Sequence, residues 1–373
     1  MATVYIHIGA PKTATSTLQS VLARNYSKLL KNGVLYPRDL RHGDAHHLLV
    51  CDLIEKYQGR PMPDIWYGSR PRGETWSSLQ AEIERCGPDV HSVIISTELF
   101  FGQNAHIDTM LEDVAAHLEG HDVKVVVYLR RQDQLYSSFY NQDVKGVRQW
   151  PHSAYQFYQT HQIFQHDYLS LVGAWGEVFG KDSIVIRPFE SGQWLNGDIL
   201  EDFCAATNTV RLPSGYKDHN ESLGLTQLYI KKCLNRVGFD KSENEEVLKV
   251  LQKVCPDEPL KGCCYVHRGL YRKYREQWEL TNRAIAEEYL DGKALFEQPI
   301  PEPEDIELYE INRYCVAGYA QHMFGIFKKG RYRKYRELFA KATLLALADQ
   351  DLWHCLDKRE QKQMMGWISA APQ

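Results

Sequence analysis

The sequence feature that most constrains the fold lies at the N-terminus, where a short apolar run, Val4–Ile8, leads through a loop of small residues directly into a helical pattern. A strand, a tight loop and a helix in this order form the first half of a βαβ unit, which builds parallel sheets. Further apolar, β-branched runs alternate with helical patterns at Val34–Tyr36, Val93–Ser96, Lys124–Leu129 and Ser183–Arg187. The sequence therefore predicts an α/β fold with a central parallel sheet flanked by helices.

Helical periodicity replaces the strand signals after Phe189. The predicted helices include Leu223–Val237, Asn244–Val254 and Tyr271–Tyr289. A proline cluster at residues 299–303 cannot continue a helix, and a helical pattern resumes after it. We expect one α/β domain over residues 1–298, helix-rich after about residue 190, and a helical C-terminal extension over residues 299–373.

The charge balance excludes several classes of protein. The chain has 44 Lys and Arg against 48 Asp and Glu, a net charge of −4, so it lacks the positive field of a nucleic-acid-binding protein. No basic and apolar leader and no run of roughly 18 apolar residues is present, so neither export nor a membrane span is predicted. The nine cysteines are scattered without a Cys-x-x-Cys pair, which indicates reduced thiols and a cytoplasmic location.

The loop after the first run carries anion-binding chemistry. It reads Gly9-Ala10-Pro11-Lys12-Thr13-Ala14-Thr15-Ser16-Thr17. A helix that begins here leaves main-chain N–H groups unpaired at its positive end, where they bind phosphate, and Lys12 and four hydroxyls add to the site. The loop lacks the second glycine of a nucleotide-triphosphate P-loop. The alternative is an ordinary turn whose hydroxyls cap the helix and whose lysine is solvated.

A second segment bears on the same site. The fourth apolar run ends at Leu129 and is followed by Arg130, and Ser138 comes eight residues later. The carboxyl end of a central strand lies at the edge where open α/β sheets bind ligands, and arginine suits phosphate contacts. The alternative is that Arg130 and Arg131 are solvated charges that pair with Asp133, with Ser138 on a helix face.

Together these two segments resemble the motifs of sulfotransferases that use 3′-phosphoadenosine 5′-phosphosulfate (PAPS), over residues 1 to about 210 and nearest to the bacterial carbohydrate-type branch. The resemblance implies a P-loop-like α/β fold and sulfuryl transfer to an acceptor hydroxyl or amine, with a saccharide or glycoconjugate as the expected acceptor. It implies that the 5′-phosphosulfate is held by Pro11, Lys12, Thr13, Ala14, Thr15, Ser16 and Thr17. It also implies that Arg130 and Ser138 bind the 3′-phosphate. Ala14 stands where glycine is common in these enzymes.

The acceptor must lose a proton, and two places in the sequence offer a base. Glu98 follows the third apolar run, where related sulfotransferases often have a catalytic histidine. His46 and His47 follow the second run, and a histidine accepts a proton at neutral pH without a large pKa shift. Lys12 and the helix N-terminus would stabilise the leaving group, and no metal is expected. The histidines match no firm zinc-ligand spacing.

Two other functions remain open from the sequence. An ATP-dependent small-molecule kinase would require Mg²⁺ and a P-loop lysine in its usual context, which this loop lacks. A degenerate member of the family would bind the nucleotide and serve as an interaction module. Turnover distinguishes that second alternative from an enzyme.

Overall fold

The computed structural model describes residues 2–102, 106–161, 167–213, 222–254, 268–305, 333–349 and 357–369. Within these ranges the strands are β1 (Thr3–His7), β2 (Val34–Leu35), β3 (Ser92–Ser96), β4 (Asp122–Leu129) and β5 (Ile184–Pro188). They form one all-parallel sheet in the order β2-β3-β1-β4-β5. The predicted α/β fold class, with helices flanking a central parallel sheet, is confirmed.

The chain forms two compact units. The first unit comprises Met1–Gln132, Gln165–Asp218 and Tyr274–Ile300, and the second comprises Asp133–Phe164, His219–Lys273 and Pro301–Gln373. One boundary, between Ile300 and Pro301, lies close to the predicted division at residue 299. The second unit also includes two earlier segments, so the units do not follow one another along the sequence.

The helices lie between and after the strands. Those that belong wholly to the first unit are α1 (Thr15–Arg24), α2 (Tyr26–Lys31), α3 (His47–Gln58), α4 (Asp64–Tyr67), α5 (Thr75–Cys86), α6 (Ile107–His117), α9 (Tyr168–Phe179) and α10 (Ile199–Ala206). The remaining helices of the described residues are α7 (Gln132–Lys145), α8 (Ala154–Thr160), α11 (Leu225–Val237), α12 (Asn244–Val254), α13 (Arg268–Tyr289), α14 (Arg336–Asp349) and α15 (Lys358–Ser369). Short 3₁₀ helices include Glu98–Gly102.

The sheet is buried on both faces, as its apolar runs predict. Val125, Val126, Val127, Tyr128 and Leu129 of β4 are all fully buried, although successive side chains of a strand point to opposite faces. On one face, Val126 and Tyr128 pack in a core with α1 and α10. Helix α9 packs against β4 and β5 and against α6. The sheet is therefore a rigid support for the loops at its carboxyl edge.

The second unit has a core of its own. Residues of α11, α12, α14 and α15 form one apolar cluster, with Ile230, Leu234, Leu251, Phe339 and Leu347 almost completely buried. The helices predicted after Phe189 are confirmed. Helix α11 begins two residues after its predicted start, α12 has its predicted bounds, and α13, whose residues from Tyr274 onward belong to the first unit, begins three residues before its predicted start. No helix in the described part of the chain is long and apolar enough to cross a bilayer.

A buried carboxylate joins two strands of the first unit to the helix behind them. Asp202 of α10 is 1 % exposed and accepts hydrogen bonds from the Tyr128 hydroxyl at 2.6 Å, from Arg187 Nε at 2.9 Å and from the Leu195 main chain at 3.0 Å. Burial raises the pKa of Tyr128, and the hydrogen bond to Asp202 raises the pKa of Arg187. A buried carboxylate that accepts from several donors is stable only while those partners remain.

We expect Asp202→Asn to destabilise the first unit by about 3 kcal/mol, because the substitution leaves buried donors without a charged acceptor. Hydrogen exchange of the β4 and β5 amides measures this unit separately from the other. The control is Arg211→Ala, which removes an ion pair whose arginine is 74 % exposed. It should change stability by no more than about 0.5 kcal/mol. Equal effects of the two variants would contradict the assigned role of Asp202.

Candidate functional site

The candidate site lies at the carboxyl ends of β1 and β4. The connection after β1 leads to β2 at one edge of the sheet, and the connection after β4 leads to β5 at the opposite edge. Between two such strands the loops diverge and leave a crevice, which is where open α/β sheets bind ligands. Main-chain hydrogen bonds from Ile8 to Val126 and from Ala10 to Tyr128, both 3.1 Å, hold the start of the β1 loop against β4.

The β1 loop has an unusual backbone. Gly9, Lys12 and Ala14 all have left-handed conformations, with φ of 70°, 69° and 60°. Left-handed backbone is costly for residues other than glycine, so two such residues in one loop mark a site of strain. The φ of 60° at Ala14 is one that glycine adopts without this steric cost.

Helix α1 begins at this loop with its first turn open. Its N-cap residue, Ala14, makes no side-chain cap, and the first turn contains no acidic residue. The main-chain N–H groups and the positive end of the helix dipole are therefore available to an anion. Thr13 is buried and donates its hydroxyl hydrogen to the Ala10 carbonyl at 2.5 Å, so it shapes the loop. Thr15 is buried, whereas Ser16 is exposed and Thr17 half-buried.

Arg130 lies directly after β4 and contacts the same loop. Its guanidinium donates to the main-chain carbonyl of Lys12 at 2.9 Å and lies 5.5 Å from the centre of the Phe189 ring. The Arg130 carbonyl accepts from the Tyr168 hydroxyl at 2.7 Å. These contacts hold a half-buried cation beside the loop. Ser138 is half-buried on α7, within the second unit, and its part in the site stays a prediction.

Glu98 begins the 3₁₀ helix after β3 and lies against the β1 loop. A side chain at Gly9 would place its Cβ 3.0 Å from Glu98 Cβ, so glycine is required there for this close approach as well as for its positive φ. Glu98 Oε2 accepts from Gln19 Nε2 at 3.0 Å, and Gln19 is itself buried on α1. A carboxylate is thereby fixed next to the loop that the resemblance assigns to the donor.

A buried polar network lies behind Glu98. Gln19 Nε2 also donates to Ser96 Oγ at 3.3 Å, and Ser96 Oγ shares a hydrogen bond of 2.8 Å with His7 Nδ1. His7 is fully buried at the end of β1, and burial lowers its pKa to about 3. Sequence reasoning missed Gln19, Ser96 and His7. Only their positions in the sequence could have indicated them, because His7 and Ser96 end strands and Gln19 lies in the first turns of α1.

The adjacent histidines His46 and His47 have different environments. His46 is completely buried, accepts from the Ser96 main-chain N–H at Nδ1 (3.0 Å) and donates from Nε2 to the Pro37 carbonyl (2.9 Å). Burial, more than any other effect, lowers its pKa to about 3. Because both ring nitrogens of His46 are engaged by the main chain, its geometry suits a structural histidine rather than a base.

His47 is the better placed of the two. Its Nε2 atom lies 3.9 Å from Glu98 Oε1, and its Nδ1 shares a hydrogen bond of 2.9 Å with the Thr97 hydroxyl. Burial lowers the pKa of His47, and the Glu98 carboxylate partly offsets this shift. The imidazole is therefore neutral near pH 7 and can accept a proton. Within the described ranges no group of three or more His, Cys, Asp or Glu side chains could hold a metal ion.

We expect Ala14→Gly to stabilise the protein by about 1 kcal/mol, because glycine adopts the left-handed conformation of this position without steric strain. The matched control is Ala23→Gly, inside α1, which should destabilise the protein by about 1 kcal/mol. Urea unfolding of both variants measures the two changes. Destabilisation by Ala14→Gly would contradict the strained conformation of the loop.

The buried histidines predict a pH dependence of stability. His7 and His46 bind a proton near pH 3 in the folded chain and near pH 6.5 in the unfolded chain. The unfolded state therefore binds more protons between these values, and stability falls as the pH drops. Near pH 5 each histidine should contribute a loss of about 2 kcal/mol relative to neutral pH.

His7→Gln and His46→Gln should each reduce that pH-dependent loss, whatever they do to stability at neutral pH. His152→Gln, at an exposed position, is the control and should leave the loss unchanged. Urea unfolding near neutral pH and near pH 5 gives the comparison. If both variants lose as much stability as the wild type between neutral pH and pH 5, neither histidine is buried in its neutral form.

Comparison with known proteins gives one relative to report. The chain is 27 % identical over 274 residues to an uncharacterized protein of Archaeoglobus fulgidus, an alignment that covers 70 % of this chain and 72 % of the archaeal one. No family model and no solved structure matches the chain. This similarity carries no assignment of activity.

Proposed function

We propose that the protein is a PAPS-dependent sulfotransferase that transfers a sulfuryl group to a hydroxyl or amine of a saccharide or glycoconjugate, in a bacterial cytoplasm. The observation that carries this proposal is the strained β1 loop, which leads into an uncapped helix beside Arg130. Strain at such a loop is retained where it serves binding. The donor is a polyanion. The loop and the start of α1 offer main-chain N–H groups, the positive end of a helix dipole and Lys12, and Arg130 adds a second cation beside them.

The residues of the loop have distinct parts in the proposed reaction. The N–H groups of the first turn of α1, with Ser16 and Thr17, bind the 5′-phosphosulfate, and Pro11, Thr13, Ala14 and Thr15 hold the loop in the shape that presents them. Lys12 neutralises the charge that develops on the leaving phosphate oxygen as the bond between sulfur and that oxygen breaks. Arg130 binds the 3′-phosphate. No metal has a part in this mechanism, because Lys12 and the oriented N–H groups stabilise the leaving group.

Glu98 and His47 supply the base. The acceptor oxygen attacks sulfur, a new sulfur–oxygen bond forms, and adenosine 3′,5′-bisphosphate (PAP) leaves with the electron pair of the broken bond. The acceptor proton passes to Glu98, which lies against the donor loop and is fixed by Gln19 through its other oxygen. The neutral imidazole of His47, 3.9 Å away, is placed to share that proton and to orient the acceptor.

The first test is donor specificity. PAP should raise the melting temperature of the protein, whereas ATP with Mg²⁺ should not, because the loop is not built like the P-loop of a kinase. Lys12→Ala should diminish the PAP effect and lower release of PAP from PAPS by on the order of 10²-fold, by analogy with the loss of one preorganised donor. Stabilisation by ATP with Mg²⁺ alone would favour the kinase, and PAP binding without turnover would favour an interaction module.

The second test concerns the base. Glu98→Gln should lower acceptor-dependent release of PAP by about 10²-fold or more while the PAP-induced rise in melting temperature persists. His47→Gln should lower turnover by about tenfold and change the pH profile, because it removes the neighbouring proton acceptor. The contrasting control is His46→Gln, which should lower the stability of the protein and change its turnover little. Loss of turnover in His46→Gln alone, with the fold intact, would refute the assignment of Glu98 and His47.

A further inference from the structure

A cluster of three aromatic side chains, His42, Trp66 and His47, lies next to Glu98. The ring of His42 is stacked on that of Trp66, with centroids 5.0 Å apart and planes inclined by 16°. The ring of His47 lies 5.7 Å from Trp66 and 6.5 Å from His42. His47, whose Nε2 lies 3.9 Å from Glu98 Oε1, is thus the member of the cluster that adjoins the carboxylate.

The two histidine rings do not sandwich Trp66, and the ring of His42 is stacked over one face of the indole. The separation between the two histidine rings, 6.5 Å, is well short of the sum of their distances to Trp66, so they do not lie on opposite sides of the indole. All three side chains are partly exposed. Trp66 is anchored against the small core of Leu48, Cys51 and Tyr67, and its neighbour Ile65 is 81 % exposed. An indole that is held in place and partly open to solvent is suited to stacking with a ring.

The charges near the cluster are unsuited to a polyanion. The arginines within four residues of a cluster member are already engaged: Arg38 lies over a tyrosine ring, and Arg41 and Arg70 donate to main-chain carbonyls. Two exposed acidic residues flank the cluster in sequence: Asp44, and Asp64, which is itself paired with Arg72. Carboxylates accept hydrogen bonds from sugar hydroxyls and repel sulfate and uronate groups. An uncharged ring with several hydroxyls fits this surface.

We propose that His42, Trp66 and His47 form the acceptor subsite and that it binds an uncharged pyranose ring, with one face of the sugar on Trp66 and the reacting hydroxyl directed to Glu98. This inference rests on the proposed function for the identity of the reaction. Binding of the sugar at the three rings does not require that reaction and can be measured by itself. It makes Trp66 a specificity-determining residue and His42 the ring that holds Trp66 in its orientation.

The test uses the full chain saturated with PAP and saturation-transfer NMR with four probes: cellobiose, N,N′-diacetylchitobiose, a sulfated heparin disaccharide and phenol. At least one of the two uncharged disaccharides should bind the wild type more tightly than the sulfated disaccharide and phenol do. Trp66→Ala should weaken that binding by about tenfold or more, and Trp66→Phe by no more than about threefold, because the phenyl ring retains the stacking face. Tyr155→Ala, at another exposed aromatic side chain, is the control and should change nothing.

The PAP-induced rise in melting temperature is measured for every variant. An unchanged rise in melting temperature shows that the fold and the donor site are intact. If Trp66→Ala does not fold, His42→Ala takes its place and should weaken disaccharide binding. Failure of both uncharged disaccharides to bind, preference for phenol or for the sulfated disaccharide, or undiminished disaccharide binding by Trp66→Ala would overturn the subsite. Absence of any PAP effect on the wild type would instead overturn the proposed donor, and the disaccharide result would still decide the subsite.

Discussion

The close approach of the β1 loop to the ends of β3 and β4 is the constraint on which the rest of the site depends. Gly9 leaves room for Glu98 on one side, and the carbonyl of Lys12 accepts from Arg130 on the other. Gly9, Lys12 and Ala14 of this loop have left-handed backbone, and the last two adopt it although they have side chains. Such strain persists where the surrounding structure fixes the backbone, and the fully buried carboxyl half of β4 lies beside the loop.

A single polar network links the two halves of the proposed chemistry. Gln19 is on the helix whose N-terminus would bind the donor, and its amide donates to the carboxylate that would accept the proton. Behind Gln19, Ser96 and the buried neutral ring of His7 keep the amide oriented.

The sequence predicted the sheet because its central strands are continuous apolar runs, which have few alternatives in a chain of this composition. It also predicted which loops border the site, since the carboxyl ends of parallel strands share one edge. The sequence could not distinguish His46 from His47. The two residues are adjacent at the start of α3, but the ring of His46 hydrogen-bonds the main chain whereas the ring of His47 lies near Glu98. The left-handed backbone at Lys12 and Ala14 gave no local signal either. The division into two units was hidden because each combines segments distant in sequence.

A crystal structure of the protein with PAP bound would decide whether the β1 loop and Arg130 hold the donor. We expect the 5′-phosphate oxygens to lie within hydrogen-bond distance of the main-chain N–H groups in the first turn of α1 and of Lys12 Nζ, and the 3′-phosphate to lie on Arg130. PAP bound at any other place, with this loop unoccupied in crystals grown at saturating nucleotide, would contradict it.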